Sequence, residues 1–261
     1  MQDLVDYAQT QQRDLAALRC FGCGGAPVPP DLVRAATATG IGVRRLYGST
    51  EVLVATWNRA ESSLEQRTDT DGAPLSHVEL ELRDEGGQPS APAERGEIFV
   101  RGPNTCVGFL DDPEREARTL SPDGWIRSGD LAVLDPDGYL TIAGRSKDII
   151  IRGGLNIAPR EIEDLLLGYP EIERAAVVGV PDERLGERAC ACVVLRAGSS
   201  IELETITQRL RASGLATHKL PERLECLESL PTTASGKIQK FRILEQIAER
   251  AAEARARPPD E

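Results

Sequence analysis

Residues 144–163 read Gly-Arg-Ser-Lys-Asp-Ile-Ile-Ile-Arg-Gly-Gly-Leu-Asn-Ile-Ala-Pro-Arg-Glu-Ile-Glu, and this stretch decides the fold. An arginine, a lysine and an aspartate (Arg145, Lys147, Asp148) precede the apolar run Ile149 to Ile151. The glycine pair Gly153–Gly154 follows, and then Pro159 stands just ahead of Glu161 and Glu163. The pattern predicts a strand, a tight glycine turn and a helix, because proline is favoured in the first helical turn and cannot continue a strand ladder. Adjacent glycines free the backbone for positive φ. A dense charge cluster ahead of such a joint suits a swivel that carries ligand-binding groups.

Upstream, the first 60 residues read as α/β. A helix is expected from Leu4 to Leu18 and a short strand from Arg19 to Gly22. The turn Gly22-Cys23-Gly24-Gly25-Ala26-Pro27 comes next, then a helix from Pro30 to Thr39 and a strand from Gly42 to Leu46. Strand, glycine turn, helix, strand is the grammar of an open parallel sheet, whose ligands sit at the carboxyl ends of the strands. From Gly72 to Gly144 the texture turns to β, with alternation over His77–Arg83 and Gly96–Arg101. A turn is expected at Asp84–Gly87, and Leu131–Leu134 and Tyr139–Ala143 flank the hairpin turn Asp135-Pro136-Asp137-Gly138. This part reads as a small twisted sheet or partial barrel.

Downstream, a compact α+β unit is expected. Its strands fall near Asp148–Ile151, Ala175–Val180, Ala189–Leu195 and Arg223–Leu227, and its helices at Pro159–Leu167, Leu203–Ser213 and Phe241–Ala252. The boundaries are then 1–144 for the first domain (an α/β segment 1–71 and a β-rich part 72–144), 145–257 for the second, and a frayed tail 258–261.

Bulk composition excludes more than it proposes. At 261 residues and 40% apolar content the chain holds enough material for real cores. A net charge of −11 argues against nucleic acid or an anionic membrane as partner. No apolar run approaches the ~20 residues that span a bilayer, and the polar N-terminus is no secretion signal. The six cysteines read as buried thiols. Cys20 and Cys23 have CxxC spacing, yet no second pair or histidine cluster stands at metal-ligand distance, which favours a reducing cytoplasm. Of 31 basic residues only four are lysines, namely Lys147, Lys219, Lys237 and Lys240. Where arginine is the default cation, a lysine suggests that a point charge is wanted, although a GC-rich genome also makes lysine scarce.

Four segments carry chemistry. Tyr47-Gly48-Ser49-Thr50-Glu51 places an aromatic, a hydroxyl and a carboxylate at a strand end. Such a group can stack a base, hydrogen-bond a phosphate and hold magnesium, or it can be a surface turn with Thr50 as an N-cap. Trp125-Ile126-Arg127-Ser128-Gly129-Asp130-Leu131 ends on an aspartate that is either a ligand-binding carboxylate or a solvated strand-start residue. Lys147 is either a functional cation or an ordinary exposed one. Ser235-Gly236-Lys237 hints at a Walker loop, but Pro231 stands where that loop needs its first glycine.

Taken together, these motifs and their order resemble the adenylate-forming (AMP-binding) superfamily: acyl-CoA synthetases, peptide-synthetase adenylation domains and luciferases. The texture of KDIIIRGG, DERLGERACA and SGKIQK looks like that of medium-chain fatty-acid or cyclohexanecarboxylate CoA ligases. The resemblance implies the C-terminal part of the large N-terminal domain, with its parallel sheet and small β-barrel, followed by a compact C-terminal α+β domain. It implies roles as well. Tyr47 would lie against adenine, Thr50 on a phosphate and Glu51 on magnesium. Gly25 and Ala26, in Gly24-Gly25-Ala26-Pro27, would run along adenine and the acyl carboxylate. Asp130 would accept from both ribose hydroxyls, and Arg145 would contact ribose and phosphate. Lys147 would be the hinge, Gly153 and Gly154 would line a tunnel for the pantetheine of coenzyme A, and Lys237 would bridge the acyl carboxylate and the α-phosphate. Attack of a carboxylate on a polyphosphate brings like charges together, and a mobile ammonium with magnesium offsets that repulsion. The substrates implied are a carboxylic acid, fatty or alicyclic, with ATP and coenzyme A.

The family pattern is longer than this chain. Upstream of the tyrosine segment it carries a Ser/Thr/Gly-rich phosphate loop and a histidine-containing acyl-pocket motif, whereas here 46 residues precede Tyr47. The expectation is a C-terminal portion that acts with its missing N-terminal half. A carrier-protein-loading adenylation domain and a non-catalytic nucleotide- or CoA-binding remnant remain as alternatives.

Overall fold

The computed structural model describes residues 2–10, 17–233 and 236–256. Parts of the expected Leu4–Leu18 helix, Ala234–Ser235 of the lysine loop and the tail from Arg257 lie outside the described residues. The chain separates into two compact units, Met1–Ser146 and Lys147–Glu261.

The first unit begins with α1 (Gln2–Thr10), β1 (Cys20–Cys23), α2 (Pro30–Ala38), β2 (Gly42–Ser49), β3 (Leu53–Trp57), α3 (Leu64–Asp69) and β4 (Ala73–Pro74). Its first sheet runs β1-β2-β3-β4. The parallel grammar holds at β1–β2, where Cys23 stands beside Arg45. The remaining pairs, β2–β3 and β3–β4, are antiparallel. Helix α2 starts on a proline at its first position and buries Val33 and Ala36, three apart and so on one face. These pack with Val5, Ile41 and Val43 into a small core. The strand after α2 extends past the expected Leu46 to Ser49, so Tyr47, Gly48 and Ser49 are strand residues rather than loop.

Next come β5 (Glu79–Arg83), β6 (Gly96–Arg101), α4 (Pro113–Thr119), β7 (Ile126–Leu134) and β8 (Leu140–Arg145). They form an antiparallel meander in the order β5-β6-β7-β8. The first of these strands starts at Glu79, two residues later than expected, because His77 sits at φ 66° and ends any extended run there. Leu82, Ile98, Val100, Ile126, Ala132 and Leu140 are buried together with Tyr47 of β2, Ala55 of β3 and Val52 in the turn between them. Each buried Leu, Ile or Val among them contributes roughly 1.5–3 kcal/mol on leaving water.

In the second unit the glycine pair does not lead straight into a helix. A 3-10 turn (Ser146–Asp148) precedes β9 (Ile150–Arg152), and Gly153–Gly154 folds it back onto β10 (Leu155–Ile157). Both glycines have positive φ, 57° and 83°, which a two-residue hairpin turn of this hand requires. Only then does α5 (Pro159–Leu167) begin. It is followed by β11 (Ile172–Asp182), β12 (Gly186–Leu195), α6 (Leu203–Ala212), β13 (Arg223–Cys226) and α7 (Lys240–Ala256). Strand β12 carries β11 along one edge and, in succession, β9 and β13 along the other. Its residues Ala189 to Val193 are buried on both faces. One face packs Ala191 and Val193 with Ile162, Leu166, Ile206 and Leu210 of α5 and α6. The other packs Cys190 and Cys192 with Ile243 and Ile247 of α7.

Candidate active site

In a parallel pair both strands deliver their carboxyl ends to the same edge. The Gly24–Pro27 turn after β1 therefore shares an edge with Tyr47–Glu51 at the end of β2. Gly24, Gly25 and Ala26 are all exposed, but a Cβ on Gly24 would lie 2.3 Å from Leu46 Cδ1, whereas one on Gly25, at φ 80°, would meet nothing within 4 Å. The turn Thr50–Val52 joins β2 to β3, with Thr50 exposed. Gly48 marks an irregularity in the pairing, and a Cβ on it would meet the main-chain oxygen of Leu53 at 1.7 Å. The glycine of this motif is thus demanded by backbone approach.

Asp130 and Arg145 are register partners on β7 and β8. Asp130 Oδ1 accepts from Arg145 Nε at 2.9 Å, and Oδ2 accepts from the Tyr47 hydroxyl at 2.7 Å. Three of the residues expected at the site therefore meet, although they come from positions as far apart as 47 and 145. The Tyr47 ring is buried among Val52, Ile98 and Leu140 rather than offered as an open platform. Burial pushes its hydroxyl well above the ordinary phenol range, and the Asp130 charge pushes it further, so it stays a hydrogen-bond donor. A carboxylate has about four lone-pair sites. Tyr47 and Arg145 use two, which leaves acceptor capacity for two more hydroxyls.

Glu51 lies a few residues along. Its Oε2 accepts from Ser49 Oγ at 2.9 Å and its Oε1 from Arg115 Nη2 at 2.6 Å. Burial raises its pKa, but the bonds from Ser49 and its own amide, with the charge of Arg115, outweigh that and hold it below the ordinary value. The carboxylate is ionised at neutral pH. Among the described residues no group of three or more His, Cys, Asp or Glu side chains could enclose a metal. A single ionised carboxylate still fits magnesium, which commonly takes one or two protein carboxylates and completes its shell with phosphate oxygens and water. Arg115, from α4, was not among the expected residues. A signal for its helix was present in Asp112-Pro113-Glu114, since Asp112 caps the helix through Arg115 N at 3.0 Å and Pro113 opens it.

The remaining candidates lie in the second unit or at its start. Lys147 is exposed in the 3-10 turn Ser146–Asp148. Gly153 and Gly154 form the exposed β9–β10 tip, where Gly153 N donates to Leu185 O at 2.7 Å. Lys237 is exposed on a hairpin closed by a bridge between Thr232 and Ile238 and by Thr233 N donating to Lys237 O at 2.9 Å. At the base of that hairpin Lys240 pairs with Glu163 at 2.7 Å.

The cysteines need a correction. Only Cys190 and Cys192 are buried, while Cys20 and Cys226 are exposed. Cys20 and Cys23 lie on one strand three apart, so their side chains leave opposite faces, and the CxxC spacing makes no chelate. Among the described residues no helix is long and apolar enough to cross a membrane.

Residues 1–110 match the AMP-binding enzyme family and residues 161–237 match the AMP-binding enzyme C-terminal domain, together most of the chain. The medium-chain fatty-acid–CoA ligase of Escherichia coli K12 is 43% identical over 249 residues, 95% of this chain and 44% of that protein. A feruloyl-CoA synthase of an Amycolatopsis species is 41% identical, over 93% of this chain and 49% of that protein. The solved amide bond synthetase McbA of Marinactinospora thermotolerans superposes with a TM-score of 0.85 at 36% identity, covering 94% of this chain and 50% of that one. The chain thus spans about half the length of the relatives it matches.

Proposed function

The chain belongs to the AMP-binding enzyme family, and from that premise we propose that it serves an ATP-dependent acyl-CoA ligase. In the first step a carboxylate oxygen attacks the α-phosphorus of ATP, and the bond to pyrophosphate breaks. In the second, the thiol of coenzyme A loses its proton, its sulfur attacks the acyl carbon, and AMP leaves. The observation that carries the reading is the Tyr47–Asp130–Arg145 cluster at the sheet edge that also bears Glu51.

Asp130 offers the two remaining acceptor positions to the ribose hydroxyls, oriented by Tyr47 and Arg145. Gly25 and Ala26 leave the neighbouring edge open for the adenine and the acyl carboxylate. Thr50 and Arg145 meet phosphate oxygens. Glu51 would hold magnesium, whose charge when bound offsets that of the phosphates. Lys237 is assigned to the acyl carboxylate and α-phosphate, Lys147 to the hinge, and the Gly153–Gly154 tip to the pantetheine arm. A fatty or alicyclic acid is the proposed substrate, in keeping with the Escherichia coli relative. The proposed location is the cytoplasm, in keeping with cysteines that form no disulfide among the described residues. The likeness to an amide bond synthetase favours one second reading, in which the same acyl-adenylate chemistry ends on an amine.

The test is incubation with magnesium-ATP, coenzyme A, a panel of amines and a pool of short to long carboxylic acids, read by mass spectrometry beside Lys237→Ala. A thioester that vanishes in the control supports the ligase, and its mass names the acid. An amide in its place supports the second reading. Because the relatives are about twice as long, silence is followed by AMP calorimetry. A chain that binds AMP carries the nucleotide site without the full activity, and one that does not refutes the site assignment.

A further inference from the structure

Between the two sheets of the first unit lies an ion pair that the proposed chemistry does not use. Arg45 and Asp71 are 4% and 8% exposed. Arg45 donates to Asp71 Oδ1 through Nε at 3.1 Å and Nη2 at 2.6 Å, and through Nη1 to Thr68 O. The other carboxylate oxygen, Oδ2, accepts from Ile142 N on β8 at 3.0 Å. Main-chain bonds continue the junction: Asp71 N donates to Leu140 O at 2.6 Å, and Leu140 N donates to Gly72 O at 2.8 Å. Asn58 Oδ1 accepts from Arg45 N at 2.7 Å, and Thr56 Oγ1 donates to Asp71 O at 2.5 Å.

The placement of these residues is specific. Arg45 and Tyr47 are two apart on β2 and share its buried face. Ile142 is three residues before Arg145 on β8, the partner strand of Asp130. One carboxylate therefore joins the strand that carries Tyr47 to the strand that carries Arg145. Stability alone does not account for the pair, since a buried ion pair is often matched or bettered by apolar residues of similar volume. What it supplies is direction: a planar guanidinium fork on one side and an amide on the other.

We propose that the Arg45–Asp71 pair is a positioning device that fixes the spacing of β2 and β8, so that the Tyr47 hydroxyl and the Arg145 guanidinium reach opposite oxygens of Asp130. Its consequence for nucleotide binding rests on the function proposed above. Its consequence for Tyr47 does not.

The test uses the full chain and the double variant Arg45→Met/Asp71→Asn, which leaves no unpaired charge and keeps an acceptor for Ile142 N. Tyrosine Cζ is labelled with carbon-13, and the Tyr47 resonance is assigned by Tyr47→Phe. The expected result is a Tyr47 resonance displaced toward its position in Asp130→Asn, with the urea midpoint retained. AMP affinity should fall roughly 10-fold, since misplacing a positioned group by about an ångström can cost up to about 10²-fold, with no further loss when Tyr47→Phe is added. An unmoved Tyr47 resonance overturns the proposal, as do fully additive AMP losses. If the wild-type chain binds no AMP, the nucleotide reading falls while the Tyr47 resonance still decides the positioning. Should the double variant not fold, Arg45→Lys keeps the charge but loses the fork, and an unmoved resonance there overturns the proposal equally.

Discussion

The two units solve the problem of presenting polar groups in opposite ways. In the first, Tyr47, Asp130 and Arg145 come from three strands, lock one another by side-chain hydrogen bonds, and sit over a buried ion pair. In the second, Gly153–Gly154 and Lys237 stand exposed at hairpin tips held by main-chain bonds, with ion pairs such as Lys240–Glu163 and Arg152–Glu222 at their bases. An interlocked cluster gives a pre-shaped receptor, but substitutions there disturb fold and site together. A hairpin tip can change its chemistry while the fold stays put. The contrast is open to measurement because both tryptophans, Trp57 and Trp125, lie in the first unit, so their fluorescence follows it alone.

The largest expected effect separates activity from stability in the second unit. Lys237→Ala should lower the proposed acyl-adenylate formation by about 10²–10³-fold, as loss of a transition-state charge partner does. The free energy of unfolding in urea should change by less than about 0.5 kcal/mol, because the side chain is exposed. Parallel loss of folding would place Lys237 in the framework and erase the contrast.

Next in size is Gly48→Ala in the first unit. The added Cβ would overlap the Leu53 carbonyl oxygen, 1.7 Å away, and main chain cannot give way cheaply. A loss of roughly 3 kcal/mol is expected, at the upper end of overpacking costs, read as an earlier tryptophan transition in urea. Gly154→Ala meets nothing within 4 Å and pays for its φ of 83° alone, about 1–2 kcal/mol. Equal losses at the two glycines would mean that the tip is packed as tightly as the strand.

Those two glycines also mark what the sequence made legible. Gly153–Gly154 announced a turn because adjacent glycines favour positive φ whatever surrounds them. Gly48 gave no such sign, since its reason is a carbonyl brought near by β3, a strand whose Leu-Val-Ala-Thr-Trp run lacks alternation. Helix α5 matched its expected bounds, having Pro159 at its start and Gly168 at its end. The small helices went unread, although Ser63 and Gln66 form a capping box and Asp112-Pro113 opens α4. Tyr47, Asp130 and Arg145, singled out because their motifs resemble those of a known family, do meet in the structure. Arg115, Arg45 and Asp71 were not legible, because each acts on a partner at least 26 positions away through tertiary contact.

A smaller effect tests the interlocking itself. Tyr47→Phe removes one hydrogen bond while Arg145 still pairs with Asp130. It should cost about 1 kcal/mol of first-unit stability and weaken AMP binding at the same time. A stability loss with AMP affinity untouched would show that the hydroxyl serves packing alone.

The smallest expected effect concerns acid. The carboxyl of Glu222 is held below its ordinary 4.5 chiefly by the hydrogen bond from Arg152, against an opposing burial effect, with the charges of Arg152 and Arg188 adding to the lowering. A depressed folded-state pKa means that the folded unit binds this proton less readily than the unfolded chain does. The resulting stability is present above about pH 4.5 and fades as pH falls through the lowered value. Glu222→Gln should therefore expose the β12 amides 186–195 to faster hydrogen exchange at neutral pH, by no more than about 1 kcal/mol, with the gap closing as acid is added. Tryptophan fluorescence should not register it, since the pair lies wholly in the second unit. A gap that stays undiminished through the acid limb would mean that Glu222 acts through packing, and that the hairpin bases are no more electrostatic than the buried cluster they are contrasted with.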